Sequence, residues 1–266
     1  MYAKQSLHLK YAICHCTSLL TPGDILISYI SSAGAVLYHA NMKSRLSFTA
    51  SAAACLVSFV SMQSCSNLLD HSHAFERPAT ASAAYERLVE GNERFLNRTP
   101  SVASVAQLEE MFTRNDAGQS PYATILTCAD SRLSPAMLFD EALGQLFVVR
   151  EAGNIAVSPT SLGSLEYASV VLKTPLLVIM GHHNCGAVDA AFQRSAVPGN
   201  IAAVLDAIKP GIAGASDLDE AITKNVQAVI KSIRANSPAL REAQMVGAVY
   251  DQGTGKVLFL GEPSAN

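Results

Sequence analysis

From residue 82 onward the chain alternates two hydrophobic patterns. Short, mainly apolar runs at 122–128, 146–150, 176–180, 245–250 and 257–260 predict buried strands, because a strand covered on both faces needs no polar alternation. Elsewhere apolar residues return every three or four positions. That spacing predicts helices over 82–97, 105–114, 161–172, 185–193, 200–208 and 218–235, with a short helix or turn at 135–140. In the first helix Ala84, Leu88 and Phe95 share a face, Ser82 is suited to cap the start, and Gly91 interrupts the middle. Strand, helix, strand in repeated order predicts an α/β fold, with a central, mainly parallel β-sheet covered by helices in one domain over 82–266. The chain closes as strand, turn, strand around residues 251–255.

Residues 1–41 show no clear period and no capping pattern. They read as an upstream extension with no structural role, translation starting at Met42. Lys43 and Arg45 then precede a stretch, 46–69, that carries no formal charge. Basic residues, an apolar run and then small residues make a secretory signal, so 42–65 is expected to be a signal peptide. Ser64-Cys65 also resembles a bacterial lipoprotein processing site, which would put a lipid anchor on Cys65; an ordinary cleaved signal and a single membrane anchor are the other readings. The expectation is therefore an exported protein, periplasmic or held to the membrane as a lipoprotein, with a cytoplasmic location as the alternative. Residues 66–81 are polar, include Pro78 and read as a linker, and its His71 and His73 are assigned no role.

Composition changes the picture in two places. A formal net charge of −3 supplies no concentrated basic face, so nucleic acid is not an expected partner. Of the six cysteines, Cys14, Cys16, Cys55 and Cys65 precede the domain and only Cys128 and Cys185 lie within it. No disulfide framework is available there unless those two pair with each other.

Both domain cysteines stand where an apolar run ends. Cys128-Ala129-Asp130-Ser131-Arg132 comes just after the apolar run at 122–126, and Gly181-His182-His183-Asn184-Cys185-Gly186 follows the run at 176–180. In parallel sheets ligands bind beyond the carboxyl ends of the strands, so the two stretches can meet in one crevice. Two thiolates and an imidazole suit zinc, and three protein ligands leave a fourth position open. His182 and Cys185, three apart at a helix start, can act as a local chelate, with Cys128 completing the set. A Cys128–Cys185 disulfide competes with this reading but leaves His182 and Asp130 without a part. Asp130 and Arg132, two apart on a loop, can form a bidentate pair. While that pair holds, the fourth position is free; if it breaks, Asp130 can become the fourth ligand and close the site.

Cys-x-Asp-x-Arg followed by Gly-His-x-x-Cys-Gly resembles the β-class carbonic anhydrases, and the likeness runs from about Tyr85 to the C-terminus. Supporting matches are Gly91-Asn92-x-Arg94-Phe95, Phe147-Val148-Val149-Arg150-x-x-Gly153-Asn154 and Leu165-Glu166-Tyr167-Ala168. The resemblance implies one Zn²⁺ per chain on Cys128, His182 and Cys185, with Asp130 joining only in a closed state, and Asp130 and Arg132 as the catalytic dyad. It implies Gln119, Phe147, Tyr167 and Gly186 around a small pocket. It also implies a homodimer or multiple of dimers, and zinc-dependent reversible hydration of carbon dioxide to bicarbonate and a proton by hydroxide held on the zinc. A carbon disulfide or carbonyl sulfide hydrolase on the same fold, a cysteine-nucleophile enzyme using Cys128 and His182, and a non-catalytic zinc-binding module with a permanently closed site are the rival readings. Glu151 departs from the Asn that many members have, and Ile125 stands where members with a regulatory bicarbonate site have Trp. That form of regulation is not expected here, although Arg150 and Tyr250 could be its other parts.

Overall fold

The computed structural model describes residues 24–31, 34–41, 76–99 and 105–264. The signal expected at 42–65, with Cys65, and the linker residues 66–75, with His71 and His73, lie outside the described residues. Among the described residues no helix is long and apolar enough to cross a membrane.

The chain divides into two units, Met1–Leu69 and Asp70–Asn266. The first contains an antiparallel hairpin of β1 (Asp24–Ser31) and β2 (Gly34–Asn41), in register from Asp24↔Asn41 to Ser31↔Gly34. The sequence reading contains no element here. Ser28 breaks the apolar residues Ile25, Leu26 and Ile27 after three positions, so the segment shows neither a sustained apolar run nor a one-sided alternation.

The second unit is built on a sheet of order β4-β3-β5-β6-β7. Its strands are β3 (Ala123–Thr127), β4 (Leu146–Arg150), β5 (Leu176–His182), β6 (Met245–Tyr250) and β7 (Val257–Phe259). All neighbours run parallel except β6 and β7. Strand periodicity of two sends alternate side chains into two cores. Leu126, Leu177 and Ile179 face one core with Val188, Leu205, Ile222 and Val226, while Ile125, Leu176, Val178 and Met180 face the other with Leu88, Leu133 and Phe139. Burial on both faces explains why the three central strands, β3, β5 and β6, read as mainly apolar runs.

Helix α1 (Ala81–Asn97) begins one residue earlier than expected, and its cap is Thr80, whose hydroxyl accepts from the Ala83 N–H at 3.2 Å. Ser82 instead points its hydroxyl toward Glu86 on the exposed face. Asn92, buried in the helix, donates to the carbonyls of Leu138 and Gly255 and accepts from the Val257 N–H at 2.9 Å, tying α1 to β7. Arg87 adds an ion pair at 2.6 Å to the buried Glu141, which also accepts from the Tyr122 hydroxyl. The end of the expected linker is fastened to the domain, since Arg77 donates to the carbonyls of Leu172 and Lys173.

Then come α2 (Val105–Asp116), α3 (Pro135–Leu138) and α4 (Pro159–Glu166). The single helix expected over 161–172 is in fact α4 followed by a wider π turn, Tyr167–Val171, closed by the Leu172 N–H on the Tyr167 carbonyl. The remaining helices are α5 (Gly186–Phe192), α6 (Ile201–Ile208) and α7 (Leu218–Asn236), which close one face of the sheet.

Candidate metal centre

Adjacent parallel strands deliver the site. Thr127 at the end of β3 is level with Met180 in β5, so Cys128 leaves its strand beside the last residues of β5. The strand β5 runs two residues beyond the expected 176–180, so His182 is its final residue, level with Tyr250 of β6. Asn184 turns the chain with φ 51°, and Cys185 occupies the cap position of α5. Asparagine tolerates that left-handed backbone better than most residues.

Cys128, His182 and Cys185 come together as a buried cluster whose ligand atoms all lie within 4.8 Å of one another. The two sulfurs are 3.9 Å apart and both thiols are free, well beyond the roughly 2.05 Å of a disulfide bond. His182 is fully buried, and its Nε2 has no hydrogen-bond partner. A buried ring nitrogen with nothing to bond, facing two sulfurs, is a costly orphan unless something else occupies the space between them. A soft, tetrahedral cation fits that donor set, and zinc takes two thiolates and an imidazole readily. The three residues can therefore hold a metal ion.

Electrostatics prepare one sulfur for that role. The Cys185 thiol and the Gly153 N–H, which donates to Cys128 Sγ at 3.3 Å, hold the Cys128 thiol well below its ordinary pKa despite burial. The Cys128 thiolate and burial in turn push Cys185 up.

Gly153 must be glycine, since φ is 68° and a Cβ there would sit 2.6 Å from Ile208 Cδ1. Its carbonyl is fixed by Asn225 of α7, whose Nδ2 donates at 2.9 Å from 72 residues away. Arg150, at the end of β4, holds the neighbouring loop after β3, donating to the carbonyls of Cys128 and Asp130.

Asp130 and Arg132 form the expected pair. Arg132 Nε donates to Oδ1 at 2.8 Å and Nη2 to Oδ2 at 2.7 Å, and the Arg132 backbone N–H adds a third bond at 3.0 Å. These bonds hold the Asp130 carboxyl well below the usual carboxylate range. Oδ2 lies 3.9 Å from His182 Nε2, so the carboxylate borders the cluster while Arg132 holds it.

The expected pocket residues are less gathered. Phe147 and Tyr167 meet with ring centroids 6.2 Å apart, and Tyr167 is largely exposed. A Cβ at Gly186 would meet nothing within 4 Å, so the space above it is open. Gln119 stands exposed ahead of β3. Two residues of the site, Asn225 and Gln252, have no place in the sequence reading, since neither carries a local motif and each acts from about seventy residues away.

A family model described as carbonic anhydrase matches residues 123–258, which takes in the cluster and the dyad. Carbonic anhydrase 2 of Mycobacterium tuberculosis is 36% identical over 192 residues, covering 66% of this chain and 91% of that one. The solved structure of the Coccomyxa β-carbonic anhydrase in complex with acetazolamide superposes with a TM-score of 0.53 at 27% identity, over 70% of this chain and 89% of that one. The chain belongs to the β-class carbonic anhydrases. A tetrameric β-carbonic anhydrase from Sordaria macrospora, 24% identical and matched over 68% of this chain and 99% of that one, has the same fold with a TM-score of 0.54. As a β-carbonic anhydrase the chain keeps both sequence motifs on neighbouring strand ends, with Cys128, His182 and Cys185 facing one point.

Proposed function

We propose that the chain catalyses the zinc-dependent, reversible hydration of carbon dioxide to bicarbonate and a proton. The observation that carries this is the buried, unpartnered Nε2 of His182 facing the sulfurs of Cys128 and Cys185, with an ionised carboxylate at the edge of the cluster. Cys128 Sγ, His182 Nε2 and Cys185 Sγ would hold the ion. Zinc in such a site acts as a Lewis acid that lowers the pKa of water toward neutrality.

The chain's own groups supply the rest. Asp130 Oδ2 is an acceptor for a hydroxyl proton, and accepting it turns an oxygen lone pair toward the carbon to be attacked. Arg132 keeps that carboxylate ionised and occupies both its oxygens, which keeps it off the fourth ligand position. The Gly153 N–H steadies the Cys128 thiolate, and Arg150 fixes the loop between Cys128 and Asp130. The sulfurs and the imidazole are buried while Asp130 is partly exposed, so reactant and proton reach the cluster from the carboxylate side.

Arg132→Ala tests this reading. Turnover is expected to fall by roughly 10²-fold or more, the lower end of what a positioned proton-handling group contributes, with zinc retained at about one per chain. A permanently closed, non-catalytic site predicts unchanged behaviour, so equal turnover in the variant would overturn the proposal. The pH profile adds a sign. Arg132 holds the Asp130 pKa down, so the pair survives as pH falls through the ordinary carboxylate range and is lost only in stronger acid. Wild-type turnover should therefore show no fall near neutral pH from protonation of Asp130.

The proposal includes a homodimer or a multiple of dimers. In support, β4 is an edge strand with Val148 38% exposed, and Tyr167, Val170 and Val171 of the π turn are also open to solvent. An apolar sheet edge of this kind is usually covered in a stable protein. Sedimentation of the full chain should give an even-numbered oligomer, and a persistent monomer would count against it.

A further inference from the structure

Gln252 lies on the turn after β6, half-buried, two residues beyond the Tyr250 that pairs with His182. His182 Nδ1 is 2.9 Å from the His183 carbonyl oxygen. That oxygen can only accept, so Nδ1 carries the ring proton and Nε2 keeps its lone pair toward the sulfurs. The side-chain amide of Gln252 is 2.8 Å from the same Nδ1, and a ring N–H calls for the amide oxygen there. In that orientation the Gln252 amide nitrogen donates to His183 O at 2.7 Å. Its oxygen accepts both from His182 Nδ1 at 2.8 Å and from Arg132 Nη2 at 3.2 Å.

We infer that Gln252 is a positioning residue whose single amide oxygen holds the metal-binding tautomer of His182 and the guanidinium of Arg132 together. A histidine that binds metal through one nitrogen needs its other N–H held, which fixes ring orientation and ligand basicity. Here the same acceptor also holds the arginine that restrains Asp130. The contacts close a ring: His182 to Gln252, Gln252 to Arg132, Arg132 to Asp130 at 2.7 Å, and Asp130 Oδ2 back to within 3.9 Å of His182 Nε2. Asp130 cannot move to the fourth ligand position without releasing Arg132, and Gln252 is one of the groups that keeps Arg132 in place. The inference rests on the zinc reading of the cluster.

The test is chelator competition for Zn²⁺ on the full chain, comparing wild type with Gln252→Leu, Gln252→Ala and Gln252→Glu. Leucine and alanine remove the amide oxygen shared by His182 and Arg132, leaving Nδ1–H only the His183 carbonyl, and each is expected to weaken zinc binding about ten- to a hundredfold, the usual cost of losing a group that orients a metal ligand. The unfolding midpoint of the metal-free protein should stay unchanged. Glutamate keeps an oxygen for both donors but gives up the N–H that bonds His183 O, so it should recover part of the affinity. Leucine and alanine variants that hold zinc as tightly as wild type, or a glutamate variant as weak as they are, would overturn the assignment. A wild-type chain that takes up no Zn²⁺ would overturn the metal reading itself, an outcome distinct from equal binding by wild type and variants.

Discussion

Cys128→Ser is expected to leave the chain folded but without zinc and without turnover. The serine hydroxyl keeps the shape of the side chain and can still accept from the Gly153 N–H. It does not ionise near neutral pH as a thiol held down by its neighbours does. The cluster then offers one thiolate and one imidazole, too few for a structural or catalytic zinc site. Carbon dioxide hydration should drop by at least about 10³-fold, because supplying hydroxide near neutral pH is the contribution that the metal makes. Zinc content and hydration measured on the same sample separate this from the other use of the residue. A cysteine nucleophile would lose turnover and leave metal content as it was. With its sulfur 3.9 Å from Cys185, Cys128 is placed for a shared ligand and is too far for a disulfide.

Gly91→Ala is expected to destabilise the domain by about 1–3 kcal/mol, the range for forcing an extra methyl into a filled core. Local preference argues the other way, since alanine is favoured over glycine in a helix interior by about 1 kcal/mol. Packing decides the sign. A Cβ at position 91 would lie 2.0 Å from the carbonyl oxygen of Phe139 and 2.8 Å from its carbon. These are backbone atoms, and Phe139 is itself fully buried, so nothing can rotate away. Relief requires α1 to move away from the Phe139 backbone at the end of α3, which pulls on the three hydrogen bonds made by Asn92 one residue on. Urea unfolding of the full chain would show it, with a midpoint at or above wild type sinking the argument.

Much of the site was readable because its chemistry is local. Cys128 to Arg132 span five residues and His182 to Cys185 four, so the ligand types and the dyad appear as short motifs. The strand ends followed from apolar runs, with errors of two residues or fewer; β5, for example, extends to His182. The start of α1 was misplaced because both Thr80 and Ser82 can cap, and only the backbone shows which hydroxyl faces a free N–H. The break after Glu166 was missed because a π turn keeps nearly the same apolar spacing as an α-helix.

The sequence by itself determined the element types, the order of strands and helices that makes a mainly parallel sheet, and the identity of the groups at two strand ends. Those are set by period and by side-chain chemistry within a few residues. The tertiary structure alone decided that Gly91 meets the Phe139 backbone, that Asn225 of α7 holds the loop behind Cys128, and that Gln252 reaches both His182 and Arg132. Each of these contacts joins positions roughly fifty to a hundred and twenty residues apart on different elements. Their meeting depends on strand order and register, in particular on β5 pairing with β6 so that His182 stands level with Tyr250. A glycine, an asparagine and a glutamine have no fixed chemistry in a sequence, and they acquire one only from the backbone and side chains that folding brings against them.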